Sequence, residues 1–129
     1  MNLKEEFNEK FLNDLVRCDF LKDVEEIISS NGGINIDLND FKSFSDGEII
    51  GSISQSFNNL DEEYIINKIS DNLPTVCIFN ISSSHPLRLD EEDILLQRLR
   101  GLYPNIEIIF GTNPNKDVNI KVQALLIKK

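Results

Sequence analysis

The chain has 129 residues, 13 Lys and Arg against 22 Asp and Glu, and a formal net charge of −9. Hydrophobic residues make up 40% and charged residues 27%, an ordinary globular composition that argues against global disorder and fits one domain of ~100–200 residues. A phosphate-binding surface needs clustered Lys and Arg, and no basic run exceeds Lys128-Lys129, so nucleic acid and anionic membrane surfaces are poor partners. No apolar run approaches the ~20 residues of a membrane span, and Met1-Asn2-Leu3-Lys4-Glu5-Glu6 has no signal-peptide character. The chain therefore reads as cytoplasmic. Cys18 and Cys77 lack CxxC spacing and read as reduced, apolar thiols.

The first element is expected to be one long helix over 1–31. Phe7, Phe11, Leu12, Leu15, Val16, Phe20, Leu21, Val24, Ile27 and Ile28 fall at spacings of three and four. No Gly or Pro interrupts them before Gly32-Gly33 supplies a stop. At ~1.5 Å per residue such a helix spans about 40 Å and would form a spine across the fold.

A second unit is expected over 32–129. Asp37 is placed to cap a short helix carrying Leu38, Phe41 and Phe44, ended by Ser45-Asp46-Gly47. Glu48 to Ser54 reads as a strand. A helix follows from Asn58-Asn59-Leu60-Asp61 to about Asn72, with Tyr64, Ile65, Ile69 and Leu73 on one face and Pro74 after it. Thr75 to Ser82 is apolar at consecutive positions, as in a strand covered on both sides. Asp90 is placed to cap a helix whose stripe is Ile94, Leu95, Leu99 and Leu102. Ile106 to Phe110 reads as a strand, Gly111 to Asp117 as a polar turn and Val118 to Ile127 as the last strand. This order predicts an α+β fold, α/β-like in two layers: a mixed four-stranded sheet with packed helices, plus the long N-terminal helix.

Several segments in this order resemble the C-terminal half of FtsZ, the bacterial relative of tubulin. That family has a loop of the form Gly-x-x-Asn-x-Asp-x-x-Asp after its central helix. Here Gly32, Asn35, Asp37 and Asp40 stand in that register. Val76 to Ser82, Ile108-Ile109-Phe110-Gly111 and Ile120 to Ile127 resemble three strands of the same half. The family's glycine-rich phosphate loop has no counterpart in these residues, nor has its partner-docking tail. Ser82-Ser83-Ser84-His85-Pro86 stands where the family has a glycine-rich turn.

The resemblance implies a fold and an interface. FtsZ subunits stack head to tail, and the acidic loop of one enters the nucleotide pocket of the next, where it helps position the attacking water. Gly32, Asn35, Asp37 and Asp40 are then partner-binding positions, with Asp37 and Asp40 candidates to act in trans on a partner's hydrolysis. The plainer reading is a helix start: Asp37 as cap, with Asp40 three residues on as the acid of a capping box. The two readings are compatible.

Other candidates are weaker. His85 is the single histidine, which excludes a His-rich metal site, and beside Ser84 it makes no nucleophile pair. The run Asp90-Glu91-Glu92-Asp93 reads as a solvated first helical turn. No cofactor and no metal are expected. Phe7, Phe11 and Phe20 read as core, although the nucleotide domain covers this helix in the family. A bare apolar strip, covered by self-association or by a partner, is therefore expected.

These readings favour a non-catalytic domain that meets FtsZ- or tubulin-type filament subunits through its acidic loop and modulates assembly or GTP hydrolysis in trans. The partner is an FtsZ-like subunit or a second copy. The alternative is a stand-alone homo-oligomeric scaffold with no nucleotide role. A third is an independent enzyme or small-ligand binder with a pocket between helix and sheet. GTPase activity of its own is not expected.

Overall fold

A computed structural model describes residues 3–29, 36–84, 89–115 and 119–129, and the side chains of all of these except 89–92. The elements are α1 (Leu3–Glu6), α2 (Glu9–Arg17), α3 (Leu21–Ser29), α4 (Leu38–Lys42), β1 (Glu48–Phe57), α5 (Glu62–Asn72), β2 (Val76–Ser83), α6 (Leu89–Leu102), β3 (Glu107–Pro114) and β4 (Ile120–Lys128).

The four strands form one mixed sheet in the order β1-β4-β2-β3. β4 runs antiparallel to both its neighbours, while β2 and β3 are parallel. The last strand is thus inserted at the centre, and β3 and β4 do not pair although they are consecutive. β2 is buried at every position, as its unbroken apolar run requires of a strand covered on both faces.

Alternation along the strands divides the core. Ile49, Val76, Ile78, Leu125 and Ile127 pack with Phe7, Phe11, Leu15, Phe20, Val24, Ile27 and Phe41 from α1–α4. Ile53, Cys77, Phe79, Ile81, Val122, Ala124 and Leu126 pack with Ile65, Ile66 and Ile69 of α5 and Leu95 and Leu99 of α6. The α+β class and the mixed four-stranded sheet are as expected. The layering is not: helices cover both faces, giving three layers rather than two.

The single helix expected over 1–31 is three helices across its described part. Asn8 has extended backbone and its side chain accepts from the N–H of Phe11, capping α2. At the other end Asp19 takes a left-handed φ of 56°. The Asp19 N–H then bonds the Val16 carbonyl at 3.1 Å and the Phe20 N–H bonds the Leu15 carbonyl at 2.9 Å. This paired closure satisfies the last carbonyls of a helix and is usually made with glycine. Asp tolerates the conformation, so the stop carries no glycine signal in the sequence.

The breaks let three short helices follow the sheet face, which corrects the expectation of a bare strip. Phe7, Phe11 and Phe20 are all buried against the chain's own sheet. On the described part of this segment Val16, 61% exposed, is the large apolar side chain left in solvent.

Three stripe positions on the opposite face are also corrected. Leu73, Ile94 and Leu102 are 61%, 50% and 54% exposed. Leu73 ends α5 in a left-handed conformation, φ 48°, which turns it off the helical face. Ile94 and Leu102 flank Arg98 at four-residue spacing on α6, and Arg98 binds Glu62 and Glu63 of α5 at 2.9 and 2.8 Å. That face follows the charged rim, and Leu95 and Leu99 carry the described part of α6 inward. α6 begins at Leu89, so Asp90 lies inside the helix rather than at its cap.

The polar turn expected from Gly111 belongs in part to β3. Gly111 and Asn113 are buried, and the Asn113 amide donates to the Asn80 side-chain oxygen at 2.8 Å on the neighbouring strand. Pairing with β2 as far as Ser83 thus carries the strand past its apolar run.

Candidate functional site

The acidic pair sits at the start of α4. Ile36 and Phe41, at 2% and 0% exposure, anchor this segment in the α1–α3 core. Between them the chain turns outward, with Asp37 exposed and Asp40 half-buried. Asp37 Oδ1 accepts from the Asp40 N–H at 3.1 Å, and Asp40 Oδ2 accepts from the Asp37 N–H at 2.9 Å. This reciprocal box satisfies two orphan donors of the first turn and places both carboxylates at the positive end of the helix.

The box uses one oxygen of each acid. Asp37 Oδ2 and Asp40 Oδ1 take no part in it, so the cap holds the two side chains in fixed orientations without consuming their acceptor capacity. Two outer ties hold the segment against α1 and α2: Lys42 Nζ lies 3.3 Å from Glu6 Oε2, and the Asn8 amide donates to the Ser45 carbonyl at 3.2 Å. Such a pair can accept from a partner's donors, orient a water molecule, or share a cation with a partner's phosphate.

Gly32 and Asn35 of the expected loop lie outside the described residues, as does His85. Asp93 is exposed on α6. Among the described residues no group of three or more His, Cys, Asp or Glu side chains is placed to hold a metal ion, and no helix is long and apolar enough to cross a membrane. Cys77 is buried beneath α5 and α6, and burial pushes its thiol up to about 12; it is not a nucleophile at neutral pH. Burial also raises the half-buried Cys18 thiol, against a lowering hydrogen bond from Ser52. A half-open hollow of about 240 Å³ is lined by Leu3, Glu25, Ile28 and Ser29, smaller than the ~300–1,000 Å³ of usual ligand pockets.

A second polar cluster was not expected. Asp23 of α3 is buried and its Oδ1 accepts from Gln123 Nε2 at 2.7 Å and Ser54 Oγ at 2.8 Å. Glu26 Oε2 accepts from the same Gln123 amide at 3.0 Å and from Lys121 Nζ at 3.4 Å. The cluster ties α3 to β1 and β4 and is internally paired. Its signal was the position of Asp23 four residues before Ile27, on the apolar face of its helix.

Comparison of the sequence with models of protein families finds no match, and comparison with curated proteins finds none. Solved structures do match. The chain is similar to a point mutant of FtsZ from M. jannaschii, with a TM-score of 0.60 and 19% identity over 90% of this chain and 39% of that one. It is similar also to an empty FtsZ dimer from M. jannaschii, with a TM-score of 0.59, 19% identity and coverage of 90% and 38%.

The chain has the fold of the FtsZ C-terminal domain. At this identity the likeness is one of fold, and the chain spans about two fifths of the length of the FtsZ structures it matches.

Proposed function

We propose that this chain is a docking module for an FtsZ-type filament subunit, that it presents the start of α4 to that subunit, and that it alters assembly or hydrolysis without turning over nucleotide itself. The observation that carries the reading is the pairing of an FtsZ C-terminal fold with an outward-facing Asp37–Asp40 box that leaves one oxygen of each acid outside the cap. These 129 residues contain no glycine-rich phosphate loop, so nucleotide chemistry falls to the partner. A carboxylate facing a γ-phosphate repels it at short range unless water or a cation lies between, and orienting that water is the part a carboxylate plays in phosphoryl transfer. A subunit docked in this way closes one end of a filament to further addition.

Mixing the chain with polymerising FtsZ and GTP tests the reading. Filament mass, followed by sedimentation, falls as the chain is added, and phosphate release per subunit changes with it. Asp37→Asn and Asp40→Asn keep a side-chain oxygen for the cap and remove the charge. Both variants fold as the parent does and lose the effect. Filaments and phosphate release indifferent to the parent chain overturn the proposal, as does an effect retained in full by the double variant.

A further inference from the structure

We infer that the outer edge of β1 is a pairing surface for a second copy of this chain, joined antiparallel about a two-fold axis at Ser54. The inference is independent of the docking reading and uses a different part of the molecule.

The direction of the backbone groups follows from β4. The carbonyls of Asn119 and Ile127 accept from Ser84 and Thr75, on the β2 side. Backbone groups alternate in direction along a strand, so Ile120, Val122 and Ala124 point at β1. Their partners there are Phe57, Gln55 and Ile53. Ser52, Ser54 and Ser56 therefore turn their N–H and C=O groups away from the sheet. Among the described residues no strand lies on that side. The Ser56 carbonyl accepts from the neighbouring Gln55 amide at 3.3 Å, an exposed contact, consistent with a carbonyl that looks outward.

Among the described residues, the regular part of this edge carries neither of the commonest protective devices, a charge or a proline. Edge strands are blunted by charge, by proline or by shortness. β1 is 10 residues long, against ~5–6 for a common strand. From Ile49 to Phe57 it has no charge and no proline. The opposite edge, β3, opens with Glu107 and closes with Pro114, which has no N–H to donate. A bulge between Ile49 and Gly51 ends the regular part of β1, leaving Gly51 to Phe57 as the straight segment.

That segment is self-complementary. A two-fold axis at Ser54 sets Ser52 opposite Ser56, Ile53 opposite Gln55 and Gly51 opposite Phe57. The outward pairs 52/56, 54/54 and 56/52 each exchange two backbone bonds, about six in all. A symmetric pairing brings any charge near its own copy, and Glu48 falls beyond the paired segment. The strand is also ordered in advance: Ser54 Oγ donates to Asp23 and Ser52 Oγ to the Cys18 carbonyl, which reduces the ordering that association must impose. The product is a continuous eight-stranded sheet.

Analytical ultracentrifugation across the micromolar range, with amide hydrogen exchange, tests the inference. The expected result is a reversible monomer–dimer equilibrium in which the amides of Ser52, Ser54 and Ser56 gain protection as concentration rises. Ser54→Lys places two ammonium groups opposite each other and raises the dissociation constant about fivefold. Ile94→Lys, which alters an exposed apolar position on α6, leaves it unchanged. Should Ser54→Lys fail to fold, Ser54→Cys in a Cys18→Ser background reads the same axis by giving a disulfide-linked dimer under glutathione oxidation. A monomer throughout the range overturns the inference. So does a dimer in which those three amides gain no protection, or one weakened by Ile94→Lys and not by Ser54→Lys.

Discussion

The side-chain amide of Gln123 donates to the carboxylate of Asp23 at 2.7 Å, across 100 positions of sequence. The same oxygen accepts from Ser54 Oγ, so one buried carboxylate joins α3 to the edge strand and the central strand. Removing it strands two donors. Asp23→Ala is expected to cost about 1–3 kcal/mol in urea unfolding, most of it from the one Gln123 N–H that loses its acceptor while the amide keeps its bond to Glu26. Asp23→Ala combined with Gln123→Leu removes both partners together and recovers part of that loss, a coupling that a double-mutant cycle measures directly.

Among the described residues two that are not glycine sit in left-handed backbone, and they differ in how well they tolerate it. Asp19 at φ 56° has a short polar side chain, whereas Leu73 at φ 48° has neither polarity nor a buried contact to offset the strain. Leu73→Gly is expected to raise stability by about 1 kcal/mol and Asp19→Gly by about half as much. Leu73→Val lowers it, because β-branching makes positive φ costlier. Thermal unfolding of the three variants gives the order.

The glycines of the sheet rim and of α6 make opposite predictions. A Cβ on Gly47 would meet Ile127 Cγ2 at 2.6 Å and the Lys128 carbonyl oxygen at 3.2 Å. Gly47→Ala must therefore push β1 away from the end of β4, at an expected cost of about 1–3 kcal/mol. A Cβ on Gly101 meets nothing within 4 Å, and Gly101 lies in the last turn of α6. Gly101→Ala gains up to about 0.5–1 kcal/mol through helix propensity. Denaturant midpoints of the two variants on opposite sides of the parent verify the assignment.

What the sequence made legible follows from how each element is encoded. β2 and the end of β4 were readable because a doubly covered strand must be apolar at successive positions. α4 and its cap were readable because Asp37 and Asp40 stand three apart before Leu38 and Phe41 could leave the surface. The breaks in the N-terminal segment were hidden: Asn8 reads as an ordinary polar helix position, and Asp19 does the work usually given to glycine. Apolar spacing ran through both stops, since the three helices share one buried face. Ile94 and Leu102 were misplaced for the opposite reason. Periodicity marks which residues share a face, and the ion pairs of Arg98 decided which part of that face meets water. Of the candidate site, the acids and their cap were legible; that the cap leaves one oxygen of each outside it is a matter of geometry.

Cys77 makes stability depend on pH at the alkaline end. Its thiol is raised from 9.0 to about 12 by burial between the sheet and α5 and α6. The folded chain therefore holds a proton that the unfolded chain releases above 9.0. Stability from this group is complete below about pH 9 and is lost as pH rises toward 12, at up to about 1.4 kcal/mol per pH unit. Cys77→Ala creates a small cavity and lowers stability below about pH 9, but it has no thiol to titrate. The expected result is that the gap between parent and variant in urea unfolding narrows from pH 8.5 to pH 10.5. A gap that stays constant would place the thiol in contact with water in the folded state. Alkylation gives a second reading, since Cys77 becomes reactive at the rate of unfolding and not before.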